Sequence, residues 1–369
     1  MMSARFLTVV LERAFNMRDG FGREIDYMRI SVIDSCNLNC YYCNPCDNNE
    51  HCHALNILSV KEVLCIVRAA TRLGIKHFRL TGGEPLLHPQ LDEMVLQIKK
   101  IPGVSSVSLT TNAVLLAQHA KWLKEAGIDS INVSLDTIDA SEYERITKKP
   151  LLEEVKHGIN AAIECGIRVK INVVLTPQTD VVALTRYVAK KGTDIRFIEM
   201  MPVGEGHTNG VEPYKKVIGT LSKLYGEPCR INTEKTKEIN SGNDKRKIPD
   251  NGPAEYYIFP ELGIRVGLIQ AIHGKFCDTC NRIRVTADGR LMPCLGSSVT
   301  MDLVPDSWDF ADDVEKDFAI VRALRAAIKA KPRCHNFNDN AVTYTKTTET
   351  KTTEIEAAEV NAARNMSRI

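Results

Sequence analysis

The sequence predicts an α/β protein in which six strand–helix units form an open, partial barrel and a smaller α+β region follows. Three observations predict this. Apolar runs of strand length alternate with helical runs from Met28 to Tyr225, the pattern of a parallel sheet with helices outside. Six such units are too few to close an eight-stranded barrel, and a doubly wound sheet is the alternative. From Gly226 onward the alternation stops, and short strand-like runs lie among polar, glycine-punctuated stretches.

The elements follow in order. Arg5–Phe15 is mildly apolar, but Glu12 and Arg13 interrupt it and no small-residue cleavage site follows; it reads as a short helix or arm, not a signal peptide. Met28–Ile33 alternates like a strand and stops at Asp34. Ser59 and Glu62 have capping-box spacing and open a helix that ends at Gly74. His77–Thr81 is the second strand and Pro89–Ile101 the second helix. Further strands are expected at Val104–Thr111, Ser130–Leu135, Val169–Leu175 and Ile195–Ile198. The helices between and after them are Leu115–Ala126, Leu151–Cys165, Val181–Lys191 and Tyr214–Tyr225. Thr233–Gly252 is lysine-rich and reads as a linker, followed by strands at Tyr256–Phe259 and Ile264–Ile269. Beyond Phe337 the chain is rich in Thr, Glu and Lys and reads as a solvated tail. The expected division is a barrel with its N-terminal arm over residues 1–225, a second domain over 226–345, and a polar tail over 346–369.

Composition narrows the function. With 369 residues, 25% charged and 44% hydrophobic, the chain is an ordinary globular one. A net charge of +2 offers no global field for nucleic acid or an anionic membrane, and no apolar run is long enough to span a bilayer. The twelve cysteines gather mainly in two short motifs, which argues for metal in a reducing, cytoplasmic compartment rather than for disulfides. Cys65 and Cys165 lie in helical patterns as small core residues. Cys229 and Cys334 are assigned no role.

The first motif is Cys36-Asn37-Leu38-Asn39-Cys40-Tyr41-Tyr42-Cys43, directly after the first strand. Three thiols in one tight loop can hold three corners of an iron–sulfur cubane and leave one iron open to a chelating ligand. A zinc knuckle borrowing a ligand from Cys46, Cys52, His51 or His53 is the alternative. Thr81-Gly82-Gly83-Glu84-Pro85 follows the second strand on the same rim, where glycines let backbone approach a ligand closely. The second motif is Cys277-Asp278-Thr279-Cys280, with Cys294 fourteen residues on. It holds three thiols where a zinc ribbon shows four, and His273 is the candidate fourth ligand in the zinc reading. Arg282 and Arg284 alternate on one side of a strand beside it. Guanidinium forks match phosphate oxygens; surface salt bridges are their plainer reading.

The cysteine spacing, with an aromatic before the last thiol, resembles the radical S-adenosylmethionine (SAM) enzymes. Together with Arg29-Ile30-Ser31-Val32, Gly82-Gly83-Glu84-Pro85-Leu86, Leu109-Thr110-Thr111-Asn112, Asn132-Val133-Ser134-Leu135-Asp136, Arg196-Phe197-Ile198-Glu199 and the second cysteine motif, the chain resembles the GTP 3′,8-cyclase family of molybdenum-cofactor biosynthesis. The resemblance runs from about Phe21 to Leu295 and returns at Asn365-Met366-Ser367. It implies a TIM-like partial barrel, the radical SAM core, with a C-terminal iron–sulfur domain, paired as a homodimer. It implies two [4Fe–4S] clusters, one on Cys36, Cys40 and Cys43 and one on Cys277, Cys280 and Cys294. SAM would touch Tyr42, Gly83, Ser134 and Met201. GTP would lie between the clusters, contacted by Arg29, Arg79, Thr110, Lys170, Arg282, Ile283 and Arg284. The implied chemistry is a 5′-deoxyadenosyl radical that takes the ribose 3′ hydrogen, after which the carbon radical attacks purine C8. An electron donor supplies the cluster, and a downstream cyclic pyranopterin monophosphate synthase takes the product. Neither nucleic acid nor membrane is an expected partner.

Several residues depart from the family pattern. Ser35 and Asn39 stand where arginines are usual, Asn44 replaces a methionine, Cys46 adds a thiol, and Ala113 replaces a glycine. The chain ends at Ile369 where the family continues with two glycines. The rival readings are another radical SAM enzyme with an auxiliary cluster, acting on a peptide or nucleotide, and a zinc-stabilised binding protein. The rim cations favour a nucleotide triphosphate.

Overall fold

The computed structural model describes residues 17–43, 56–203, 206, 210–231, 252–297, 299–303, 313–337 and 345–346. The expected N-terminal arm, the candidate ligands Cys46, His51, Cys52 and His53, nearly all of the Thr233–Gly252 linker and most of the tail lie outside the described residues.

Six parallel strands are laid down in sequence order: β1 (Tyr27–Ser31), β2 (His77–Thr81), β3 (Ser106–Thr111), β4 (Ser130–Ser134), β5 (Val169–Val174) and β6 (Asp194–Ile198). The order never reverses, as a doubly wound sheet requires at its switch point, so the partial-barrel expectation holds. The covering helices are α1 (Val60–Arg72), α2 (Leu91–Lys99), α3 (Leu116–Glu125), α4 (Ala140–Thr147), α5 (Leu152–Glu164), α6 (Val181–Lys190) and α7 (Gly219–Tyr225), the last preceded by a π-helical turn, Tyr214–Ile218. The predicted capping box opens α1: Glu62 N donates to Ser59 Oγ at 3.3 Å and Ser59 N to Glu62 Oε2 at 2.6 Å. Helix α4 is an element the sequence reading missed.

The C-terminal region is built onto both edges of this sheet. Beyond β6 come β9 (Arg265–Ile269), β8 (Glu255–Ile258) and β7 (Cys229–Ile231); beyond β1 come β10 (Arg282–Val285), β11 (Arg290–Met292), β12 (Val299–Asp302) and β13 (Thr345–Lys346). Strands β9 and β10 pair parallel with β6 and β1. The segment between them, residues 270–281, therefore crosses the open side of the barrel and carries two of the second-motif cysteines there. Helix α8 (Asp313–Lys329) packs against α1 through Ile320, Leu324, Ala327 and Ile328, all fully buried, with Arg72 paired to Asp317 at 2.8 Å.

Strand alternation sorts the side chains into two layers. Met28, Ile30, Phe78, Leu80, Val107, Leu109, Ile131, Val133, Ile171, Phe197, Leu268 and Ile283 join one apolar cluster under the helices. Each stabilises the fold by roughly 1.5–3 kcal/mol relative to exposure. The opposite, inner face carries Arg29, Arg79, Lys170, Arg196, Arg282 and Arg284. Among the described residues no helix is long and apolar enough to cross a membrane.

Candidate functional site

The first cysteine loop leaves β1 and is stitched to the end of α4: Asn39 N donates to Thr147 O at 3.0 Å and Tyr41 N to Ile146 O at 3.1 Å. Cys36 and Cys43 are exposed and Cys40 half-buried. Burial raises the Cys40 thiol, and Asp136, Cys43 and Cys36 raise it further, so the three sulfurs share one electrostatic environment. Burial followed by Asp136 likewise raises Cys43. Asp136 accepts from the Tyr42 hydroxyl and, at 2.8 Å, from Val174 N, yet burial holds its carboxyl up at about 6. Thiols surrounded by carboxylates resist deprotonation unless a metal supplies the counter-charge.

Gly82 and Gly83 serve this loop directly. A Cβ on Gly83 would stand 2.1 Å from Ser35 O, and one on Gly82 would stand 2.3 Å from Ile33 O. The described chain that comes close is thus the stem of the cysteine loop, an approach the sequence reading reserved for a ligand. Gly83 N donates to Ile33 O at 2.8 Å and Glu84 N to Ser35 O at 2.7 Å. Glu84 is buried and accepts from Thr111 Oγ1 at 2.6 Å and Asn112 N at 2.7 Å. Asn112 Nδ2 then reaches Cys36 Sγ at 3.8 Å and Asn37 Oδ1 at 2.7 Å. Of the expected SAM contacts, Tyr42 and Gly83 therefore flank the first cysteine loop. Ser134 is exposed at the end of β4. Met201 lies beyond β6, where a Cβ on Gly206 would stand 2.6 Å from Met201 O and 3.4 Å from Tyr42 O.

The cationic layer is continuous across strands. Arg29 is in register with Arg79 on β2 and with Arg284 on β10. Arg79 donates Nε to the Tyr27 hydroxyl and Nη1 to Thr110 Oγ1 at 3.4 Å. Burial lowers Arg29, and Arg282 and Arg196 lower it further, although Tyr27 opposes them. Burial with Arg29 and Arg282 brings Arg284 down to about 9. Strands β1 and β6 are separated by four others in the sheet order, so the charge sensed between Arg29 and Arg196 reports the curl of the barrel. Among the described residues, Arg29 Nε, Arg196 Nη2 and Arg282 Nε have no hydrogen-bond partner although buried. Buried cations with free donors are costly unless an anion meets them. Lys170 is buried with its ammonium 5.9 Å from the Tyr256 ring. Ile283 is in the apolar outer layer, so any ligand contact on the inner face falls to its backbone.

All three cysteines of the second motif open onto one cavity of about 740 Å³, its mouth included, together with Arg29, Arg282, Arg284, Met201, Lys331 and His335. Cys277 sits in a 3₁₀ turn, with Cys280 N donating to its carbonyl at 3.2 Å. Burial would raise Cys280, but Lys331, Arg282 and Arg284 outweigh it and its thiol lies below the ordinary value. His273, the candidate fourth zinc ligand, is engaged by Glu199 and does not line the cavity. Among the described residues no three His, Cys, Asp or Glu side chains are arranged to hold a single metal ion. The zinc reading of the second motif thus lacks its candidate fourth ligand at the cavity; the candidate fourth ligands of the first motif lie outside the described residues. A thiol triad suits a larger cluster with one thiolate per corner.

Residues 30–183 match the Radical SAM superfamily and residues 193–337 match Molybdenum Cofactor Synthesis C. A GTP 3′,8-cyclase of Clostridium perfringens (strain SM101 / Type A) is 35% identical over 324 residues, covering 87% of this chain and 95% of the relative. The chain belongs to the GTP 3′,8-cyclase family. Cyclases of Pelotomaculum thermopropionicum and Peptoclostridium acidaminophilum are 36% and 37% identical, each over 87% of this chain and over 95% and 94% of their own length. The fold is also that of Streptococcus suis SuiB, with a TM-score of 0.54 and 15% identity over 87% of this chain and 69% of SuiB. As a member of this family the chain is a radical SAM enzyme, which works with SAM and an iron–sulfur cluster.

The structure adds residues to this cyclase site that sequence reasoning did not single out. Arg196 was present only inside a quoted motif, and its unpartnered nitrogen on the inner face is a structural signal. Asp136 likewise stood in a motif, and only the fold brings it to Tyr42. Lys331 follows α8 and carried no sequence signal.

Proposed function

We propose that this chain converts GTP to (8S)-3′,8-cyclo-7,8-dihydroguanosine 5′-triphosphate, the first step of molybdenum-cofactor biosynthesis. The observation that carries the reading is the shared cavity: the Cys277, Cys280 and Cys294 triad opens onto the same space as Arg29, Arg282 and Arg284. A peptide substrate would not call for so many clustered cations, and a triphosphate would.

In this reading Cys36, Cys40 and Cys43 hold one [4Fe–4S] cluster, and Cys277, Cys280 and Cys294 hold a second. When bound, the first cluster and SAM would supply the radical chemistry that acts on the ribose 3′ carbon. The protein's own residues position and exclude. Tyr42, Gly83, Ser134 and Met201 form the SAM side; Asp136 fixes Tyr42, and Glu84 with Asn112 fixes the loop around Cys36. Arg29, Arg79, Arg196, Arg282 and Arg284, with Thr110, Lys170 and the Ile283 backbone, take the nucleotide. A triphosphate brings counter-charge to Arg29, Arg196 and Arg282, whose buried nitrogens lack a hydrogen-bond partner among the described residues, so its binding orients the ribose toward the first cluster at no further desolvation of the arginines. The reading further comprises a barrel over residues 1–225, an iron–sulfur domain over 226–345, a cytoplasmic homodimer, an electron donor and a downstream cyclic pyranopterin monophosphate synthase.

The test is anaerobic incubation of the reconstituted protein with SAM, reductant and GTP. About eight irons per chain and the cyclised triphosphate are expected. About four irons, or GTP recovered unchanged while SAM is cleaved, would contradict the reading.

A further inference from the structure

Lys331 lies just past α8 and is buried, 3% exposed. Its ammonium donates to Arg282 O at 2.8 Å and to Pro293 O at 2.9 Å. Those carbonyls belong to the two segments that carry Cys280 and Cys294: Arg282 stands two residues after the first, and Pro293 directly before the second. A lysine ammonium has three donors. Two of them tie the cysteine arms together, and Lys331 also lines the cavity onto which the three thiols open. The loop carrying Cys277 is held from behind by Arg23, whose Nη1 donates to Cys277 O at 2.7 Å and to Arg333 O at 2.9 Å, and whose Nη2 donates to Pro332 O at 2.6 Å. Arg23 thus joins the Cys277 turn to the segment that begins at Lys331.

A fixed positive charge beside a thiolate-bound cluster favours its reduced, more negative form. The first triad differs: its charged neighbours, Asp136 and Glu84, are carboxylates. We propose that Lys331 is a positioning residue for the second cluster, holding the Cys280 and Cys294 arms at ligand spacing and raising that cluster's reduction potential above the one it would have without the charge. This rests on the reading that Cys277, Cys280 and Cys294 hold a [4Fe–4S] cluster.

The test uses the full chain with Cys36, Cys40 and Cys43 changed to alanine, so that only the second triad binds iron. Iron content and the midpoint potential from an electron paramagnetic resonance titration are measured for this parent and for Lys331→Met, Lys331→Gln and Lys331→Arg. The parent should hold about four irons; none in a folded parent would overturn the cluster reading itself. With the parent loaded, Lys331→Met and Lys331→Gln should hold less iron, and the cluster that forms should be about tenfold harder to reduce, a midpoint about 59 mV lower. Lys331→Arg should keep a midpoint near the parent's. Unchanged midpoints in Lys331→Met and Lys331→Gln would overturn the proposal, as would Lys331→Arg falling as far as they do. If Lys331→Met is insoluble, the Lys331→Gln midpoint decides on the same terms.

Discussion

Replacing Arg284 by methionine should have opposite effects on ligand binding and on the stability of the ligand-free protein. Arg284 faces the second cysteine triad, in register with Arg29, and burial together with Arg29 and Arg282 lowers it to about 9. A hydrogen bond to a charged group contributes about 1.5–3 kcal/mol, and each 1.4 kcal/mol is tenfold in affinity. GTP should therefore bind about ten- to a hundredfold more weakly to Arg284→Met, and Arg282→Met should show a loss of the same order. Lys331 bonds the main-chain carbonyl of residue 282, which the substitution keeps, so the second cysteine arms stay in place in that variant. Without GTP the sign reverses. The folded-state value of Arg284 lies well below its ordinary one, so the unfolded chain binds the proton more tightly, and the charge destabilises the fold below about pH 9. That penalty is relieved as the pH rises above about 9. Ligand-free Arg284→Met should melt no lower than the parent at pH 7.5, and its advantage should narrow by pH 9.5. Titration of GTP onto anaerobically loaded protein, with melting curves at both pH values, reads both effects. Unchanged GTP affinity in the double variant Arg282→Met/Arg284→Met would refute the reasoning, because the arginines would then not face the nucleotide.

Three further outcomes follow from particular contacts. Gly83→Ala should displace the stem of the first cysteine loop, since its Cβ would meet Ser35 O at 2.1 Å; iron analysis should show loss at the first triad with the second retained. Gly158→Ala should destabilise the α3–α5 packing by about 1–3 kcal/mol, because the added Cβ would stand 2.3 Å from Ala113 O and 3.0 Å from Leu116 Cβ, and denaturant unfolding reads the change. Alanine at Cys36, Cys40 or Cys43 should abolish 5′-deoxyadenosine formation, whereas Cys46→Ala should leave most of it.

The six-strand core was legible because local pattern and tertiary role agree. Each strand presents apolar residues to the helices at alternate positions, as Phe78 and Leu80 do on β2, and each main helix has a long apolar stripe. Helix α4 escaped because it is short and largely polar; its buried residues are Tyr143, Ile146 and Thr147, too few for a period to show. The pairing of β9 with β6 and of β10 with β1 was not legible, because nothing local states which edge a short strand will join. That pairing places Cys277 and Cys280 across the open side of the barrel, facing Arg29. The thiol triads and Arg282 with Arg284 were readable from spacing. Arg196 and Lys331 were not, since their roles depend on which distant segments they meet. The double glycine was marked as a place of close approach, and the sequence could not say that the cysteine-loop stem would fill it.

The most direct measurement uses GTP deuterated at the ribose 3′ carbon, incubated anaerobically with the reconstituted protein, SAM and reductant. The account predicts deuterium in 5′-deoxyadenosine and a 3′,8-cyclised triphosphate formed alongside it. Unlabelled 5′-deoxyadenosine with GTP recovered intact would contradict the account.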